Sequence, residues 1–327
     1  MLEKVLTALI TVLIGVGAAV VLYWALNRIA ELLPSRLEGW LKPYLYILPA
    51  YAAIVFYLIY PAVQTVVYSF KNRTGKKWVG LDNFSNLLSN DHFRDTLINT
   101  LLWMLVVPAA TVVLGLGVAV LADRLGVRAE NSVKTIIFLP MAISMVGAGT
   151  VWKFLYAYRP AGEEQIGVQN AIVTGFGGDP VPWLEQNQLH INSFLLMLML
   201  LWAQVGFSMV LLSAAVKGVP TDTLEAARID GADERRIFLK VVVPQIKGTL
   251  ITVYITTLIG VMKIFDVVYV MTNGRDNTNV LGNEFFNQFF VNFDQGAAAA
   301  IVVMLMVAVI PIMAYQVKHF RNEEATL

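Results

Sequence analysis

The chain has 327 residues, 57% of them hydrophobic and only 14% charged, with a net charge of +1 and a mean hydropathy of +0.65. A soluble globular protein is about 45–50% apolar and about 25% charged, so this composition describes a polytopic membrane protein. Four classes of function are excluded or disfavoured. The charge balance offers no footprint for nucleic acid. The lack of cysteine removes disulfides, thiol nucleophiles and sulfur metal sites. His92, His190 and His319 are too far apart to form a ligand spacing. No GxxxxGK run occurs, so any ATP-driven work by this chain draws its energy from a partner.

Crossing a hydrocarbon core of about 30 Å takes about 20 helical residues. Seven stretches qualify, at residues 5–26, 44–67, 97–122, 135–157, 194–216, 250–271 and 297–317. Their backbone groups must be paired internally, which predicts an all-α fold with about seven transmembrane helices. The first stretch is too long for a signal peptide. Leu32-Leu33-Pro34-Ser35-Arg36 follows it in place of a small-residue cleavage site, so it reads as a retained span. The chain divides into an extra first helix with a cytoplasmic link (1–43), a second helix with an external segment (44–96), a core (97–317) and a tail (318–327).

Basic residues in short loops set the orientation. Arg28, Arg36 and Lys42 follow span one, Arg124, Arg128 and Lys134 follow span three, a cluster including Lys217, Arg235 and Lys247 follows span five, and Lys318 and Arg321 lie in the tail. By parity these regions share one side, the cytoplasm. That puts the C-terminus inside and the N-terminus outside. Lys71, Arg73, Lys76 and Lys77, after span two, run against the pattern and are outvoted. Residues 158–192 are rich in Gly, Pro and acidic side chains, and their external place suggests contact with an outside partner.

Between spans five and six lies the most polar stretch, Thr221 to Pro244. It predicts two short helical runs separated at Gly231-Ala232-Asp233. Asp222 and Glu225 have the spacing of a capping box. Leu224, Ala227 and Gly231 fall on one face, and the small Ala226, Ala227 and Gly231 suit close approach of another protein. The second run, residues 234–243, sets Ile237 and Val241 on an apolar face, and Pro244 bends the helix where the next span begins.

The order Glu225-Ala226-Ala227, three residues, Gly231, nine residues, Val241-x-Val243-Pro244 resembles the EAA loop of permease subunits in binding-protein-dependent ABC importers. Tyr68-Ser69-Phe70 and Val79-Gly80-Leu81-Asp82-Asn83-Phe84 resemble the external segment of sugar-importer permeases. Phe138-Leu139-Pro140, at the start of span four, and the run from Ile166 to Gly178 resemble the first permease subunit of α-glucoside importers over nearly the whole chain. The resemblance implies a five-helix permease core in a bacterial or archaeal cytoplasmic membrane. It also implies a second homologous permease subunit, two ATPase subunits that carry ATP and Mg, and an external solute-binding protein; this chain itself carries no cofactor. Glu225, Ala226, Ala227 and Gly231 would couple to the ATPases, with Arg228, Asp230 and Arg235 as polar supports.

Polar groups inside spans mark a path or a structural lock. Span five holds Gln204 and Ser208 beside Trp202 and Phe207. Span six holds Thr256, Thr257, Lys263 and Asp266. Lys263 and Asp266 are three apart, which on a continuous helix lets them pair. They would form either a hydrophilic wall of the path or an ion pair that fixes register. When a maltose permease is laid along the chain, only Phe207 and Thr257 keep the character of its sugar contacts. The candidate path is therefore Gln204, Phe207, Thr257, Lys263 and Asp266. A rival reading is an ion-coupled secondary transporter, which would show internal repeats and paired broken helices; the sequence shows no repeat. A membrane enzyme finds no nucleophile or acid–base constellation.

Overall fold

A computed structural model describes residues 2–32 and 34–324. Two compact units divide after Val67. The first is a helical hairpin of α1 (Leu2–Glu31) and α2 (Ser35–Ile54), which runs on through a π turn (Val55–Ile59) into α3 (Tyr60–Ser69). Polar groups in this hairpin satisfy one another. The Tyr46 hydroxyl donates to Asn27 Oδ1 at 2.8 Å, Asn27 Nδ2 donates to Glu31 Oε1 at 2.7 Å, and the Tyr23 and Tyr46 rings stack at 6.0 Å.

The second unit contains α4 (Asp82–Ser89), α5 (Asp91–Asp123), α6 (Val127–Phe138), α7 (Met145–Leu155), α8 (Val168–Gly175), α9 (Ile191–Lys217), α10 (Thr221–Ile229), α11 (Glu234–Ile237), α12 (Val243–Gln245), α13 (Lys247–Met262), α14 (Asp266–Met271), α15 (Leu281–Phe286) and α16 (Gln295–Glu324). Among the described residues five helices are long and apolar enough to cross a membrane, and up to seven if each of two bent pairs counts as one span. Spans one, two, three, five and seven of the sequence reading are continuous. Spans four and six are not.

Span four is α6 and α7; α6 runs into a 3-10 turn (Leu139–Ala142), and the 102° bend follows where Ile143 and Ser144 are extended. Pro140 therefore sits in the 3-10 turn that ends the first half of the span, not at the start of the span's helix as the sequence suggests. α7 restarts with Ser144 as its cap, its hydroxyl accepting from the Gly147 amide at 3.1 Å. Span six also departs from expectation. α13 stops at Met262, the backbone leaves helical geometry at Lys263 and Phe265, and α14 begins at Asp266. The run 234–243 is interrupted as well, by a π turn (Phe238–Val242). The 68° bend falls between Gln245 and Lys247, not at Pro244. Both this π turn and the one in the hairpin come just before an X-Pro pair, Val243-Pro244 and Tyr60-Pro61. Proline has no amide hydrogen and crowds the carbonyl four residues back. A wide π turn placed just ahead relieves that crowding.

α9 is the centre of the second unit, packing on α5, α6, α7, α13 and α14. Trp103, Val107, Leu196, Met199, Leu200 and Val261 form the main buried cluster. The approach of α9 to its neighbours is set by small residues, as expected where lipid supplies no hydrophobic drive between helices. A Cβ on Gly206 would lie 2.4 Å from the Ile137 carbonyl oxygen and 2.6 Å from Phe138 Cα. Nearby, Ser208 Oγ donates to the Thr111 carbonyl at 3.1 Å. The loop after span two, whose basic residues oppose the orientation rule, is held by those same residues. Lys71 bridges Trp78 through the backbone, and the Arg73 guanidinium donates to the Asn292 carbonyl.

Gly206→Val should therefore insert but unfold more easily, by about 1–3 kcal/mol as for other overpacked cores. Gly117→Val, at a position with nothing within 4 Å of a new Cβ, should not. Thermal unfolding in detergent reads this, and equal destabilisation by both variants would contradict the packing argument.

Candidate coupling site

The polar loop is a folded unit. α10 begins after Pro220, which offers no side-chain cap. Asp222 lies inside the helix and not at its N-cap, so the expected capping box does not form. The C-terminal end is built more firmly. The Gly231 amide donates to the Arg228 carbonyl at 3.0 Å, and the Ala232 amide donates to the Ala227 carbonyl at 3.1 Å. With Gly231 at φ +81° this is a Schellman motif, which closes the orphan carbonyls of the last turn. Asp230 is the C-cap residue. Three residues later Asp233 caps α11, its side chain accepting from the Arg236 amide at 3.1 Å.

Packing decides which side of α10 faces out. Leu224, Ala227 and Ala232 pack with Val241 and Phe238 against buried Val219, Ile237, Val242 and Ile246, and this cluster reaches Leu116 of α5 and Leu250 of α13. Each fully buried aliphatic chain contributes about 1.5–3 kcal/mol, so the loop is anchored to the membrane helices beneath it. Leu224 and Ala227 thus serve the loop's own core and do not form the small face for a partner that the sequence suggests. Glu225, Ala226, Arg228 and Asp230 are exposed, and Ile229 is 86% exposed. Arg228 Nε donates to Glu234 Oε1 at 2.9 Å. That hydrogen bond and the Glu234 charge, with a smaller contribution from Glu225, raise the Arg228 pKa. Arg228 therefore ties α10 to α11 across the Gly231 turn, while Arg235 is exposed and makes no salt bridge among the described residues.

Beneath this loop lies a charged cluster that sequence reading missed. Glu130 of α6 is 7% exposed. Lys134 Nζ and Lys217 Nζ each donate to its Oε1 at 2.6 Å. Lys217 also lies 3.4 Å from Asp123 Oδ1, and Lys134 donates to Ser213 Oγ at 2.5 Å. The i,i+4 spacing of Glu130 and Lys134 is a sequence signal; the reach to Lys217 is not.

The candidate path residues are not gathered into one site. Gln204 is half-buried, Phe207 is 38% exposed on α9, and Thr257 is buried in α13. No hydrogen bond joins Gln204 to Thr257. Lys263 and Asp266 are both exposed and form no ion pair. The expectation of a shared helix face is wrong because the helix ends between them. Cavities of the second unit lie elsewhere. An apolar groove of about 590 Å³ is bounded by Leu250, Tyr254, Leu258, Pro311 and Tyr315. A charged hollow of about 240 Å³ lies among Lys153, Glu185, Tyr269, Arg275 and Asp276.

Residues 111–321 match the family described as "Binding-protein-dependent transport system inner membrane component". The chain is 42% identical to the alpha-glucoside transport system permease protein AglF of Rhizobium meliloti (strain 1021), covering 98% of this chain and 99% of that one. It is 44% identical to the osmoprotective compounds uptake permease protein GgtC of Synechocystis sp. (strain ATCC 27184 / PCC 6803 / Kazusa), over 86% of this chain and 99% of that one. Among solved structures it resembles a bacterial ABC transporter involved in import of the acidic polysaccharide alginate. The TM-score is 0.75 at 19% identity, covering 88% of this chain and 99% of that chain; at that identity the likeness is one of fold.

A Cβ at Gly231 meets nothing within 4 Å, so only the backbone conformation restricts this site. Gly231→Ala should cost about 1–2 kcal/mol, and Gly231→Asn less. Gly231→Pro should abolish the turn, since it also removes the amide that bonds Arg228. Hydrogen exchange at the Ala232 amide should rise in the order wild type, Asn, Ala, Pro. Wild-type protection in the Pro variant would contradict this account of the loop.

Proposed function

The chain belongs to the inner-membrane components of binding-protein-dependent transport systems, and on that premise we propose that it is the membrane-spanning subunit of an ABC importer for an α-glucoside-type sugar. The observation that carries the proposal is the loop at residues 218–246. Its α10 is fixed from below by an apolar anchor and a Schellman turn, and it presents Glu225, Ala226 and Ile229 outward. A rigid, exposed helix rooted in the transmembrane core is what a partner needs in order to push on that core.

In this reading two ATPase subunits, which carry ATP and Mg, dock on the loops of this chain and of a second homologous permease. Glu225 and Ala226 form the outward face of the coupling element, Ala227 and Gly231 hold its packing and its turn, and Arg228, Asp230 and Arg235 stand in support. An external solute-binding protein delivers the sugar. The ordered segment at 157–192 is its contact. There Asn170 donates to the carbonyls of Ala157 and Val181 and accepts from the Val181 amide and Trp183 Nε1. The loop at 218–246 and the C-terminus are cytoplasmic, the N-terminus is external, and the membrane is a bacterial or archaeal cytoplasmic membrane. The path runs past Gln204, Phe207, Thr257, Lys263 and Asp266. The α-glucoside assignment leans on the relative named for alpha-glucoside transport, which matches this chain end to end.

One observation favours the second reading. Two spans are broken, as in ion-coupled transporters. Family membership and the exposed coupling loop weigh against it.

The test is the complex purified with its neighbouring subunits and reconstituted in liposomes. ATP hydrolysis should be stimulated by one glucoside, and only with the binding protein present. Glu225→Lys should leave the chain inserted and reduce uptake at least about tenfold, the size expected of lost coupling. Sugar flux driven by a proton or sodium gradient without ATP would overturn the proposal.

A further inference from the structure

The coupling loop must pass its movement to the membrane helices, and the cluster centred on Glu130 lies at that junction. The last turn of α9 ends at Lys217, four residues before the first residue of α10. Lys217 grips Glu130 of α6 at 2.6 Å and approaches Asp123, the last residue of α5, at 3.4 Å. Lys134, one turn along α6, returns to the same Glu130 oxygen and to Ser213 of α9. Ser213 is 3% exposed and Glu130 7%. Two lysines thus converge on one buried carboxylate, and the three helices α5, α6 and α9 meet there.

About two turns further along from Glu130 and Ser213, α6 and α9 are locked again, where Gly206 meets the backbone of Ile137 and Phe138. Two locks at different depths on the same helix pair leave it little freedom to pivot. Just beyond the second lock, after the 3-10 turn Leu139–Ala142, span four breaks, bending by 102° at Ile143–Ser144. The half of span four on the coupling-loop side is therefore bound to α9, while α7, on the far side, packs on α14 and α8 as well as on α9.

We propose that Glu130 is a positioning residue for transport. It makes α6, with the 3-10 turn at its end, travel with α9 and the coupling loop as one body, so that the extended break at Ile143–Ser144 is where span four flexes. This inference rests on the proposed docking of ATPases at the coupling loop. Glu130 itself touches neither ATPase nor sugar; it acts through Lys217. Removing the carboxylate leaves two lysine ammonium groups close together at the buried position, which pushes α6 away from α9. Replacing it by aspartate keeps the charge.

The chain has no cysteine, so spin labels can be placed singly. Arg128 on the first turn of α6 and Ala214 on the last turns of α9 are both exposed and lie outside the cluster. Double electron–electron resonance on the labelled full complex in liposomes should give one narrow distance, the same without nucleotide and with ATP trapped. In Glu130→Gln that distribution should broaden or shift with nucleotide. The ATP hydrolysed per sugar imported should rise about tenfold, within the range by which changes along a physical network alter coupling. Glu130→Asp should recover most of the coupling. Lys217→Met gives the same readouts if Glu130→Gln fails to insert. A wild-type distance that changes with nucleotide would overturn the proposal, as would an unchanged ATP-to-sugar ratio in both variants. A wild-type complex that binds no ATPase at all would instead overturn the function on which the proposal rests.

Discussion

The close seating of α9 against its neighbours is the constraint from which the rest of the fold follows. Between transmembrane helices the lipid tails are as apolar as the side chains, so attraction comes from close contact and hydrogen bonds. α9 supplies both. Gly206 admits the backbone of α6, Ser208 bonds the Thr111 carbonyl of α5, and at its other end Asn192 Nδ2 donates to the Asp276 carbonyl at 2.6 Å. A helix fixed at three levels can serve as a strut. The loop that carries α10 and α11 begins where it ends, and the Glu130 cluster ties the same two helices, α5 and α6, to it there again.

The broken spans are tolerated because side chains replace the missing backbone partners. Beyond α14 the chain turns through Asn273, Asp276 and Asn277, all at positive φ, among buried polar groups. Asn99 donates to the Asn279 carbonyl, the Leu281 amide to Thr100, and Asn279 Nδ2 to Glu284. These pairs link the irregular segment to α5, and the segment reaches the break in span six at Gly282, where a Cβ would lie 2.4 Å from the Ile264 carbonyl oxygen. The break is a built element of the fold, and the loss of the Lys263–Asp266 pair is its direct result.

The parts legible in the sequence were those governed by local rules. Helix length and hydropathy located seven spans, and the Gly231 spacing located a turn whose conformation only glycine adopts freely. Packing was not legible. Periodicity places Leu224 and Ala227 on one face of α10 but cannot say whether that face meets a partner or the loop's own core; burial against Ile237 and Val242 decides. Hydropathy likewise runs smoothly through Pro140 and Lys263, since a broken helix is as apolar as a straight one. The Glu130–Lys217 pair joins residues 87 positions apart, and no local pattern announces such a contact.

The central claim is that the exposed side of α10 is where an ATPase engages this chain. The absence of cysteine allows a direct measurement: single cysteines at Ala226, Ile229 and, on a loop remote in sequence, at Phe176, which is 91% exposed, followed by cross-linking in the assembled complex. The account predicts adducts with the ATPase subunit from positions 226 and 229, altered by ATP, and none from 176. Adducts from 176 alone, or none from α10 in a complex that hydrolyses ATP, would contradict it.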